Sequence, residues 1–136
     1  PPFSELEQEF GKGNVSNIFD GRPFQNHTSC EGMDETPSDK VFLLKHFGRE
    51  TQSEGNIAEM DKLGYRPATH AEAYEFQKKQ PDLQLKFWII ALGSFAVVDG
   101  GRCVAVLLGR SDGRVFGGGW FDYRWNSSGR FLVVRK

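Results

Sequence analysis

The chain has 136 residues, 38% hydrophobic and 13% aromatic, with sixteen glycines and a formal net charge of −1. That length suits one domain with a real core, and the glycine and aromatic content favours many turns around a few large anchors over a helical bundle. No apolar run approaches the ~18 residues of a membrane-spanning helix, and no charged-then-apolar leader is visible, so neither a membrane partner nor a signal peptide is expected.

Residues 1–10, PPFSELEQEF, predict a short helix. Ser4 and Glu7 have capping-box spacing, and Phe3, Leu6 and Phe10 share one face. A helix this short is marginal alone and must dock. Residues 11–39 show no period and are rich in Gly, Asn, Ser, Thr and Asp. They predict an extended loop pinned by Ile18, Phe19 and Phe24, functional or partly mobile at such length. KVFLLKHF at 40–47 predicts a strand. Two helices follow. The first has Thr51 or Ser53 as cap, Ile57, Met60 and Leu63 at helical spacing, and Gly64 just past its end. The second has a Thr69–Glu72 capping box, inward Ala73 and Phe76, and Pro81 after its end. A short GYRPA link joins them.

From residue 84 the pattern becomes short β-rich runs, with Asp99-Gly100 and Asp112-Gly113 as hairpin signals. CVAVLL is apolar at every position, which predicts a strand buried on both faces. The triple glycine 117–119 predicts a bulge or close strand approach before Trp120, because no Lys-Ser/Thr follows it as in a phosphate-binding loop. The fold class is therefore α+β, two helices followed by a mostly antiparallel twisted sheet. The expected organisation is an N-terminal helix and extended segment over 1–39, wrapped on a domain over 40–136.

The order of these elements resembles the C-type-lectin-like fold over residues 40–136. KVFLLKHF stands as its first strand, SEGNIAEMDKLGYRPATHAEAYEF as its two helices, and FWIIALGS as its aromatic-rich strand. Trp120-Phe121-Asp122 with RFLVVRK looks like its ending. The family's disulfide cysteines and proline-centred calcium triplet are absent, so the resemblance carries no calcium-dependent sugar site. YRPATHAEAYEF is also similar to a stretch of the formylglycine-generating enzymes. Their cysteine pair has only Cys103 as a counterpart, so that activity does not carry over. Cysteine-poor bacterial and phage relatives of the lectin fold act as display scaffolds that bind other proteins, and that is the function the resemblance implies.

Cys30 and Cys103 are the only cysteines. Two isolated thiols do not make a disulfide framework, and they predict a reducing, cytoplasmic setting. His27 and Cys30 have a spacing that can supply two zinc ligands, but a structural zinc site needs four. His27-Thr-Ser-Cys30 therefore reads as a polar loop, His70 as solvent-exposed, and Cys103 as a buried inert thiol. No metal or cofactor is expected.

Charge is uneven. Residues 1–83 carry nine Lys/Arg against fifteen Asp/Glu, a net of −6; residues 84–136 carry eight against three, a net of +5. This predicts either internal complementarity or a basic face for an anionic partner. The closing stretch concentrates the chemistry. Arg110, Arg114, Tyr123, Arg124, Trp125 and Arg130 are the candidate ligand-binding residues, since exposed Tyr, Trp and Arg anchor protein interfaces. Trp120, Phe121 and Phe131 are expected in the core; Tyr123, Arg124 and Trp125 are expected on the surface. The leading expectation is a non-catalytic binding or scaffold module that recognises another protein through the loops between 109 and 130. The alternatives are a nucleic-acid-binding protein using the basic, aromatic C-terminal half, and an enzyme of the formylglycine-generating type.

Overall fold

A computed structural model of the chain describes residues 1–32 and 40–136, so the end of the expected N-terminal loop lies outside the described residues. Helix α1 spans Phe3–Phe10 and buries Leu6 and Phe10. The expected Ser4–Glu7 capping box does not form. Pro2 is the N-cap, with φ −61°, and its carbonyl accepts from the amides of Glu5 and Leu6, so the helix starts two residues before the expected position.

The following segment is more ordered than an extended loop. Single 3₁₀ turns occupy Asn17–Phe19 and Thr28–Cys30, and strand β1 (Gln25–Asn26) pairs with the middle of β5 (Ile89–Val98). The anchors are the expected ones: Ile18 is buried, and Phe19 stacks between Phe116 and Phe24 at centroid distances of 4.0 and 5.5 Å. Strand β2 is Phe42–Lys45. An unexpected strand β3, Thr51–Gln52, precedes helix α2, Ser53–Lys62. Neither Thr51 nor Ser53 caps α2. Gln52 holds the N-cap position, and Ser53 Oγ–H instead donates to the Phe121 carbonyl at 2.6 Å. Ile57 and Met60 are buried, but Leu63 turns out to solvent at 59% exposure, because the helix ends at Lys62 and Gly64 reverses the chain at φ +85°.

The supposed link between the helices is itself a strand, β4 (Tyr65–Pro67), hydrogen-bonded to β9 (Arg130–Arg135). Helix α3, His70–Lys79, opens with the expected Thr69–Glu72 capping box. Its Glu72 carboxylate also accepts from both terminal guanidinium nitrogens of buried Arg66, at 2.8 Å each, and from Lys40 Nζ at 2.7 Å. Burial would raise the Glu72 carboxyl, but these donors and the Thr69 amide hold it down at about 2.

The rest is sheet. After a 3₁₀ turn at Leu83–Leu85, β5 runs unbroken where two runs were expected, with a register irregularity between Ala91 and Ala96. Strand β6 is Gly101–Arg110, β7 is Gly113–Trp120 and β8 is Arg124–Trp125. Asp99 and Gly100, at φ 51° and 81°, form the tight turn between β5 and β6. In the next hairpin the ladder closes at Arg110 and Gly113, so the two-residue loop is Ser111-Asp112 and Gly113 belongs to the strand.

The main sheet runs β2-β9-β5-β6-β7, with β1 beside β5 and β4 beside β9; β3 and β8 form a separate pair. All named strand pairs are antiparallel except β5 with β9. The fold is α+β. Both faces of the sheet are covered. One carries Leu6, Phe10, Tyr74 and Phe76 of α1 and α3 against Ala105, Leu107, Phe116 and Leu132. The other carries Ile57 and Met60 of α2, with Phe121 and Trp125, against Val104, Val106, Phe131 and Val133. Residues Cys103–Leu107 are buried accordingly. Fully burying each such side chain contributes about 1.5–3 kcal/mol.

Candidate functional site

The chain from Trp120 to Trp125 alternates between outside and inside. Trp120 ends β7 at 39% exposure, Phe121 is buried, Tyr123 is 68% exposed and Trp125 is buried at 6%. Two of the expectations are therefore reversed: Trp120 is a surface ring and Trp125 a core ring. The cause is a hydrogen-bond chain from α2. Trp125 Nε1–H donates to Ser53 Oγ at 2.8 Å, Ser53 Oγ–H donates to the Phe121 carbonyl, and the Phe121 amide donates to the Arg102 carbonyl at 2.9 Å. A buried indole needs such an acceptor.

Beside this loop lies an open groove of about 320 Å³. Trp88, 45% exposed, lines it with Trp120 and Tyr123. Trp88 is held where β5 begins, its carbonyl accepting the Arg130 amide at 2.8 Å. Gly118, Gly119 and Gly129 keep the groove open. A Cβ at Gly119 would stand 2.7 Å from Trp125 Cη2, and one at Gly129 would stand 2.9 Å from Ile90 Cδ1. At Gly119 the close approach is made by the Trp125 ring and not by a strand, and the β6–β7 register passes the three glycines without a bulge. Arg124 and Asn126 supply the polar lining. Arg124 reaches Glu50 at 3.4 Å, with both side chains well exposed, a pair worth little and easily exchanged for a ligand. Asn126 Oδ1 accepts from the Ser128 amide and hydroxyl, fixing the turn after β8.

Of the six candidate residues, Tyr123, Arg124 and Trp125 line this groove, Trp125 from within the core. Arg110, Arg114 and Arg130 do not line it. Arg114 lies over the Phe10 ring at 5.1 Å and donates to Gln77, on the α1/α3 face. Arg130 lies over Phe87 at 4.6 Å and donates to the Ser128 carbonyl. Arg110 stands exposed at the β6–β7 hairpin. The arginines of the C-terminal half do not converge on this one site. Trp88 was missed because the run Phe87-Trp88-Ile89-Ile90 reads as uniformly apolar. Trp88 precedes the first strand residue, Ile89, so the burial of the run does not extend to it.

The other sequence candidates serve the frame. The Ser29 amide donates to His27 Nδ1 at 3.0 Å. That makes Nδ1 the acceptor and leaves Nε2–H to donate to Glu54 Oε1 at 2.8 Å, clasping the N-terminal segment to α2. Cys30 Sγ–H donates to the Pro67 carbonyl at 3.3 Å. Burial pushes both thiols up, away from the reactive thiolate. His70, expected in solvent, is instead stacked on Phe24 at 3.9 Å, and its Nδ1 meets Ser94 Oγ at 2.7 Å. The Ser94 hydroxyl also accepts the His70 amide at 2.8 Å, and burial pulls the imidazole down to about 4. No protein-family model, curated protein or solved structure matches the chain.

Proposed function

We propose that the chain is a non-catalytic binding module on a C-type-lectin-like frame, and that it grips a protein partner through the groove lined by Trp88, Trp120 and Tyr123. The frame reading is supported by the antiparallel pairing of β2 with β9, which joins the two ends of the 40–136 region, and by two helices inserted between β2 and β5. The recognition reading rests on one observation: three large rings, each more than a third exposed, converge on one glycine-bordered groove. Exposed rings gathered at one place mark an interaction surface, whereas scattered ones need no explanation. Trp and Tyr with a neighbouring arginine are the residues that dominate binding energy at protein interfaces.

The test is quantitative capture. The wild-type chain and a Trp88→Ala/Tyr123→Ala double variant are immobilised at equal density and exposed to an extract of the native host. A partner retained by the wild type and reduced at least tenfold on the double variant supports the reading. Equal retention by both, with both folded by circular dichroism, removes the groove from recognition.

A further inference from the structure

Trp120 and Tyr123 wall a second hollow on their other side, of about 330 Å³, completed by Val98, Asp99, Gly101 and Asp122. The two ring centroids are 6.2 Å apart with planes inclined at 41°, so the rings are tilted to each other and not stacked. A Cβ on Gly101 would come within 3.0 Å of the Trp120 ring, so that glycine lets the indole lie close over the β5–β6 hairpin. The two carboxylates of the hollow differ. Asp122 is bound by Arg102, at 2.5 Å from Nη2 and 3.3 Å from Nε, and Arg102 is itself braced on the Phe121 ring at 4.1 Å. Asp99 sits in the hairpin turn, exposed, and no described residue is hydrogen-bonded or ion-paired to it.

We propose that this hollow receives a cationic side chain, a lysine or arginine of the same partner protein whose apolar surface fills the neighbouring groove. The proposal rests on the binding-module reading and deepens it. Two aromatic faces attract a cation through their quadrupoles, and indole is the strongest such surface. The uncommitted Asp99 carboxylate supplies the compensating charge, while Asp122 is already neutralised by Arg102 and shapes the wall. An anionic side chain is disfavoured here by both the ring faces and Asp99. A neutral apolar side chain gains the ring contact alone. The wall shared by the two hollows makes the expected partner motif a basic residue next to an apolar one.

The test needs no identified partner. N-acetyl-lysine methylamide is titrated into the chain at low ionic strength, with the Trp120 indole NMR signal, assigned by Trp120→Phe, as readout. N-acetyl-norleucine methylamide, which keeps the alkyl chain and lacks the ammonium, is the control. Saturation in the millimolar range by the lysine probe, about threefold or more tighter than the norleucine probe, is expected, together with a similar weakening by Asp99→Asn. Equal response to the two probes, or no change on Asp99→Asn, overturns the cation site. Trp88→Ala is expected to leave the lysine response intact while abolishing partner capture, so failure of the groove and failure of the cation hollow are distinguishable.

Discussion

Trp125 donates its indole N–H to Ser53 Oγ across 72 residues of chain, at 2.8 Å, and this bond decides which ring of the closing segment is sealed and which is presented. It predicts a sharp contrast between neighbours. Trp125→Ala removes a buried ring and is expected to cost about 3–5 kcal/mol of stability. Tyr123→Ala, two residues away and largely exposed, is expected to stay within about 0.5 kcal/mol. Urea unfolding curves of the two variants check this; equal destabilisation would mean that the alternation is misassigned.

The glycine beside the groove is also a packing requirement. Gly119→Ala would bring a methyl carbon to 2.7 Å from the Trp125 ring, at a position where the ring is locked by Ser53. Overpacking of this kind costs about 1–3 kcal/mol, and the expected signature is a lowered Tm with a shifted tryptophan emission. An unchanged Tm would show that the indole can move.

Local signals and distant ones were not equally legible. The Thr69–Glu72 capping box was readable because both of its hydrogen bonds close within four residues. The β5–β6 hairpin was readable because Asp-Gly tolerates two positive φ values. The exchange of roles between Trp120 and Trp125 was not, since the acceptor that buries Trp125 lies at the start of α2. Strand β4 hid inside a presumed helix link for the same reason. Among the described residues its three positions pair with the last strand of the chain. The arginines gave a charge count but no position. Arg114 crosses to α1, Arg130 to Phe87, and only Arg124 lines the groove.

That dispersal carries its own prediction. A protein making six to ten phosphate contacts loses about 10³–10⁵ in affinity between 50 and 200 mM salt. With the arginines spread over both faces, affinity for single-stranded DNA is expected to be weak and to fall less than about tenfold over that range. A steep fall, measured by fluorescence anisotropy, would revive the nucleic-acid reading.

Stability is expected to fall on acidification in two stages. His70 is held down to about 4 from an ordinary value of 6.5, so the unfolded chain binds the extra proton between those values. Its contribution is complete above pH 6.5 and is lost as pH falls toward 4, by up to roughly 3 kcal/mol. Glu72, held at about 2 against an ordinary 4.5, contributes above pH 4.5 and loses that contribution as pH falls toward 2. Chemical denaturation at stepped pH should show both slopes, and His70→Gln should flatten only the upper one. A flat profile from pH 7 to 4 in the wild type would contradict the half-buried, neutral imidazole.

The central claim is that the exposed rings of the groove touch a partner. Oxidative footprinting of the chain, alone and with its captured partner, reads this at each ring. The account predicts strong protection of Trp88, Trp120 and Tyr123, with Trp125 unreactive in both states. Unchanged oxidation of those three rings, with protection arising elsewhere on the surface, would contradict it.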